Sequence, residues 1–115
     1  MIDIGTLIAN DLEYGAEWRH QKSVEFPHDA NRNLTAAETL ERIAAEFRKM
    51  EGSQYHWRLQ ALFDRYGERF VEGLKSMIAA VGFRSSAETA EEFLDELCLL
   101  VEGLSEAEGE IVPIR

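Results

Sequence analysis

The sequence predicts an all-α protein, and three observations carry the prediction. Apolar residues recur every three or four positions along almost the whole chain, which is the repeat of a helix. Before the C-terminal tail, no run of β-branched and aromatic side chains bounded by turn residues competes with that period. Prolines occur only at positions 27 and 113, so nothing between them removes the backbone donors that long helices need. The expected architecture is a small four-helix bundle-like domain over residues 1–104, with a long third helix able to kink, followed by an extended arm over 105–115.

The first helix begins near Asp3, carries Ile4, Leu7, Ile8 and Leu12 on one stripe, and continues past Gly15 toward Ser23, with Pro27 beyond its end. The second opens at "TAAE", where Thr35 accepts a backbone N–H and Glu38 reaches back to another, the reciprocal arrangement of a capping box. Its stripe of Leu40, Ile43, Ala44, Phe47 and Met50 runs to Gly52, a helix stop. The third helix starts after Ser53 and carries the longest stripe: Tyr55, Leu59, Leu62, Phe63, Tyr66, Phe70, Leu74, Met77, Ile78 and Val81. If continuous it is about 42 Å long at about 1.5 Å per residue. Gly67 and Gly73 are its weakest points, each costing about 1 kcal/mol of helix propensity relative to Ala. A stripe of that length is expected to be covered in part by a second copy of the chain, with Tyr66 and Phe70 in the contact, or else to break at Gly67 and fold on itself. The fourth helix starts at a second capping box, Ser85 with Glu88, and packs Ala90, Phe93, Leu94, Leu97, Val101 and Leu104. After Gly109, "EIVPIR" reads as an extended arm whose Ile111, Val112 and Ile114 pack back on the bundle or reach into a groove of a neighbouring subunit.

Charge narrows the partners. The 115 residues include 22 acids and 12 bases, a net charge of −10. That excess disfavours nucleic acid phosphates and anionic membranes and favours basic protein surfaces. Residues 85–115 hold nine of the acids and only Arg115 as a base, so −8 of the −10 belongs to the C-terminal third. No apolar run approaches the roughly 20 residues that cross a bilayer. The stretch "MIDIGTLIANDL" places Asp3 where a secretory signal carries positive charge. Cys98 has no second cysteine to pair with and lies among Leu94, Leu97 and Val101, as a buried and unreactive thiol would. A soluble protein of the reducing cytoplasm is expected.

Chemistry-bearing residues concentrate in "EWRHQKSVEFPHDANRN", residues 17–33. Glu17 and His20 share a helical face at the E-x-x-H spacing that resembles one half of the metal site of ferritin-like di-iron bundles. The second such pair, Glu25 and His28, encloses Pro27 and so cannot be an ordinary helical face. The dipeptide His28-Asp29 resembles the signature of the HD metal-dependent phosphohydrolases, which need further histidine and aspartate ligands on other helices. As a connection, Pro27 with Asp29, Asn31 and Asn33 makes the side-chain-to-backbone bonds of a turn, and Arg19, Lys22 and Arg32 balance Glu17, Glu25 and Asp29.

The carboxylates offer an alternative. "ETLE" (Glu38, Glu41) and "EFLD" (Glu92, Asp95) resemble the acidic elements of the all-α NTP pyrophosphatases of the MazG type, in which clustered acids hold Mg²⁺ against a nucleotide's phosphates. The resemblance implies Glu41, Glu92 and Asp95 as Mg ligands, with Glu38 also engaged in its capping box. In that family a short helix-turn separates the two elements, whereas here the whole third helix intervenes. Arg58, Arg65 and Arg69 interleave with Asp64, Glu68 and Glu72 at spacings that favour pairing within one helix. Tyr14, Trp18, Tyr55 and Trp57 suit a core and would also serve a ligand pocket.

These features lead to an expected function. The chain is read as a small acidic cytoplasmic helical protein that acts through protein contacts as an accessory or regulatory homodimer, without a cofactor. The alternatives are a divalent-metal NTP pyrophosphatase-like enzyme, and an acidic mimic of nucleic acid that occupies a basic surface.

Overall fold

Ile4, Ile8, Leu12 and Ala16 repeat at four-residue intervals and are all buried, on a helix α1 that spans Ile4–Glu25. The computed structural model describes residues 4–49 and 54–111, with side chains over 4–49 and 56–103. Helix α1 packs along α2 (Ala30–Arg48), whose buried row is Ala37, Leu40, Ile43, Ala44 and Phe47. Their connection is a single 3-10 turn, Pro27–Asp29, with proline at its start, where a missing N–H costs nothing.

That turn moves the start of α2. The Thr35–Glu38 capping box is not a cap. The turn runs straight into helix at Ala30, Asn33 donates its side-chain amide to the Asp29 carbonyl at 3.1 Å, and Thr35 already lies in the second turn. Thr39 donates its hydroxyl to the Thr35 carbonyl at 3.0 Å, a bond of the helix interior. Helix α2 closes at Arg48, ahead of the expected stop at Gly52, which lies outside the described residues.

The long seam is two helices. Helix α3 (Gln54–Tyr66) ends where Gly67 takes φ +57°, a left-handed conformation that glycine adopts without cost, and α4 (Glu68–Ala80) begins at once. The Gly67 N–H closes α3 on the Phe63 carbonyl at 2.8 Å, and the Phe70 N–H opens α4 on the Gly67 carbonyl at 3.1 Å. The break brings Phe63 and Phe70 edge to face, with ring centroids 5.5 Å apart. Phe70 is therefore covered by the chain's own fold and is only 1% exposed, which corrects its expected place in a subunit contact.

After α4, a tight turn returns Ser85 to the helix end, with the Ser85 N–H on the Ala80 carbonyl at 2.9 Å. The capping box of the last helix is shifted by four residues from Ser85–Glu88 to Thr89–Glu92. The Thr89 hydroxyl accepts the Glu92 N–H at 3.1 Å, and the Glu92 carboxylate accepts the Glu88 N–H at 3.0 Å. Buried Ser85 instead bridges inward, accepting the Ala87 N–H and donating to Glu96 at 2.9 Å. Helix α5 (Ala90–Ile111) then continues through residues read as an extended tail, because Ala and Glu over 105–110 favour a helix and the single Gly109 costs only about 1 kcal/mol. Val112 and Ile114 lie outside the described residues.

All five helices contribute to one buried cluster, in which Phe47 of α2 meets Phe93 of α5 edge to face at 5.9 Å. Among the described residues there is no strand, and no helix is long and apolar enough to cross a membrane. The molecule is all-α.

Candidate functional site: a cationic and aromatic cleft beside α1

Gly15 sets the geometry of the site. A Cβ there would collide with the Ile78 side chain, so only glycine lets α4 approach α1 this closely. Asp11 lies within Coulombic reach of Lys75, Gly15 meets Ile78, and Arg19 donates to the Ala79 carbonyl at 2.6 Å. The two helices therefore pass each other in the same chain sense. Between them opens a cleft of about 490 Å³ lined by Asp11, Tyr14, Gly15, Trp18, Arg19, Lys75, Ile78 and Ala79. Tyr14 is 75% and Trp18 44% exposed, so the aromatic residues of α1 line a surface cleft and do not enter the core.

Arg19 closes one end. It is 9% exposed, anchored by the Ala79 carbonyl and by Asn33 Oδ1 at 3.3 Å, and its guanidinium carbon sits 4.2 Å from the centre of Phe83 and 4.8 Å from that of Trp18. Arg32 lies against the same Phe83 ring at 4.3 Å. Burial lowers the pKa of Arg19 and the charge of Arg32 lowers it further, yet a guanidinium in this range stays protonated. Behind Trp18 a second pocket of about 320 Å³ is lined by Trp18, Arg19, Lys22, Phe26, Asp29, Asn33 and Phe83. Lys22 reaches over Trp18 and Phe26 at 5.3 and 5.5 Å. Burial pushes the Asp11 carboxyl above its ordinary pKa, with Lys75 opposing.

The acids and histidines marked in the sequence do not gather. His20 pairs with Glu41 across α1 and α2 at 2.9 Å, Asp95 pairs with Arg58 at 2.9 Å, and Glu92 is occupied in capping α5. Glu41, Glu92 and Asp95 thus serve three separate contacts. Among the described residues, no three His, Cys, Asp or Glu side chains are placed to hold one metal ion. His28 and Asp29 are exposed in the 3-10 turn. Tyr66 is half-buried with Arg65 over its ring, and Ile111 ends α5 with its side chain outside the described residues. Cys98 is half-buried, and that burial pushes its thiol pKa up, against the pull of Arg58.

Sequence reasoning missed the roles of Arg19, Arg32, Asn33 and Phe83. Balancing the charges of residues 17–33 along the chain concealed which of them meet in space. The available signal was Arg19 in the interior of a long helix at the spacing of buried Ala16 and Leu12. Protein-family models, curated proteins and solved structures include nothing that matches this chain. Fold and site define its class on their own terms: an all-α domain with an aromatic, arginine-closed cleft between two helices.

Proposed function

We propose that the chain is a small acidic accessory protein of the cytoplasm that acts through protein contacts, and that it works as a homodimer joined through the face of α1 and α4. The observation that carries this reading is the outer row of α1. Leu7, Asp11, Tyr14 and Trp18 follow at steps of four, three and four, so they share one helical face. Three of them are apolar or aromatic, and Leu7 is 43% exposed. Val71, Lys75 and Ile78 follow at helical spacing on α4, with Val71 38% exposed. Large aromatic side chains in a cleft are the usual anchors of protein interfaces.

A second copy suits this face better than a basic partner does. The chain carries −10 overall, but this surface holds one acid, Asp11, and two bases, Lys75 and Arg19, so a basic partner finds no excess of acid there. A two-fold axis through it sets Asp11 of each copy against Lys75 of the other, a self-complementary pattern that needs no other protein. Light scattering at about 100 µM, well above the dissociation constants of ordinary interfaces, should give the mass of two chains. Trp18→Glu combined with Val71→Glu should give one chain, with helical circular dichroism retained. A wild-type monomer at that concentration, or a dimer indifferent to both substitutions, rejects the reading.

A further inference from the structure

We infer that the pocket behind Trp18, between the end of α1, the start of α2 and the turn at residues 81–85, binds a small organic carboxylate with an apolar body. This goes beyond the dimer reading and does not rest on it. Three cations converge on this corner, Arg19, Lys22 and Arg32, each over one or more of the rings of Trp18, Phe26 and Phe83. In a chain with 22 acids, neither arginine is paired with a carboxylate among the described residues. Arg19 is held by neutral acceptors only, the Ala79 carbonyl and Asn33 Oδ1, and Arg32 by the Gly82 carbonyl at 3.4 Å. Two like charges beside one ring repel each other, and an anion bound at Arg19 relieves that repulsion.

Local charge selects the type of anion. Lys22 is matched by Glu25 at 3.3 Å, Asp29 on the pocket wall offsets Arg19, and Arg32 adds its charge from outside the lining, against the Phe83 ring. One positive charge is left over, which suits a monoanion and disfavours a phosphate dianion. A guanidinium presents two parallel N–H donors, the geometry of a carboxylate. Arg19 spends one N–H on Asn33 and one on Ala79, so its placement is fixed before any ligand arrives. The pocket measures about 320 Å³, and Trp18, Phe26 and Phe83 on its wall accept an apolar or aromatic body.

The test uses the full chain with the exposed Trp57 replaced, Trp57→Phe, so that fluorescence reports Trp18. It is run at a concentration where light scattering gives a single species, which separates ligand binding from assembly. Phenylacetate should produce a saturable change, while the neutral 2-phenylethanol and the cation 2-phenylethylammonium should not. Arg32→Gln, a change at an exposed residue outside the pocket lining, should weaken phenylacetate by about twofold, the scale of a nearby charge without a direct bond, with thermal stability unchanged. Arg19→Lys, which keeps the charge and loses the fork, should weaken it as well. An equal response to the alcohol, no saturable change up to about 50 mM, far weaker than ligands of this size bind, tighter binding of inorganic phosphate, or an Arg32→Gln variant with undiminished affinity each overturns the proposal.

Discussion

Asp11 and Glu13 lie two positions apart on α1 and answer to pH in opposite directions. Glu13 accepts two bonds from the Arg48 guanidinium, at 2.7 and 3.1 Å, and these hold its carboxyl below the usual range. A carboxyl depressed in the folded state contributes stability above its unfolded pKa and loses it as pH falls through the folded one. Asp11 is raised by burial, so its ionised form is disfavoured in the fold. Its cost is absent below the unfolded pKa and grows as pH rises through the window up to the raised value. Thermal melts from about pH 3 to about pH 7 should therefore show Asp11→Asn melting above the wild type at the neutral end and level with it at the acid end. Glu13→Gln should melt below the wild type at the neutral end and converge with it in acid. For the dimer proposed above, Asp11→Asn is expected to weaken association as well, because that arrangement sets Asp11 against Lys75 of the second copy. A gain in stability with a loss in assembly is a combination that a purely structural role for Asp11 does not produce.

At the level of elements, boundaries were harder to read than helices. Periodicity announced every helix because burial follows the 3.6-residue repeat directly. It could not announce the break at Gly67, since a single left-handed residue interrupts the backbone without shifting the apolar register that continues from Tyr66 to Phe70. Glycine was the visible hint, and its φ of +57° is the reason for it. Gly67→Ala should cost about 1 kcal/mol or more in urea unfolding, with no change in helix content. Capping boxes misled for a different reason: with so many Ser, Thr and Glu residues, S/T-x-x-E occurs at Thr35, Ser85, Thr89 and Ser105, and among the described side chains only Thr89, where the chain turns, uses it. Thr89→Ala should lower stability by about 1 kcal/mol, whereas Thr35→Ala, in the second turn of α2, should leave the start of that helix intact. The cleft was less legible still. Arg19 becomes a site residue only because Ala79, Asn33 and Phe83 arrive from α4, α2 and the turn at 81–85, and no spacing along one helix encodes that meeting.

On the scale of the whole molecule, the radius of gyration of 15.1 Å exceeds the roughly 13 Å of a compact chain of this length. The helices do not wrap one another on all sides, and the α1 and α4 face is one that stays uncovered. Two charge effects then compete when copies meet. Bringing together two bodies of −10 each is unfavourable over the whole surface, while the face itself carries one acid against two bases and gains mainly by removing Leu7, Tyr14, Trp18 and Val71 from water. Screening weakens the long-range repulsion with a Debye length that shrinks to about 10 Å at 0.1 M salt, and it leaves the apolar gain almost untouched. The dimer should therefore tighten as sodium chloride rises from about 20 to about 300 mM, measured by sedimentation equilibrium. The competing arrangement seats the acidic α5 of one copy on Arg19, Lys22 and Arg32 of the other. That contact is driven by charge and must loosen over the same range, so the sign of the salt dependence alone decides which surface joins the two chains.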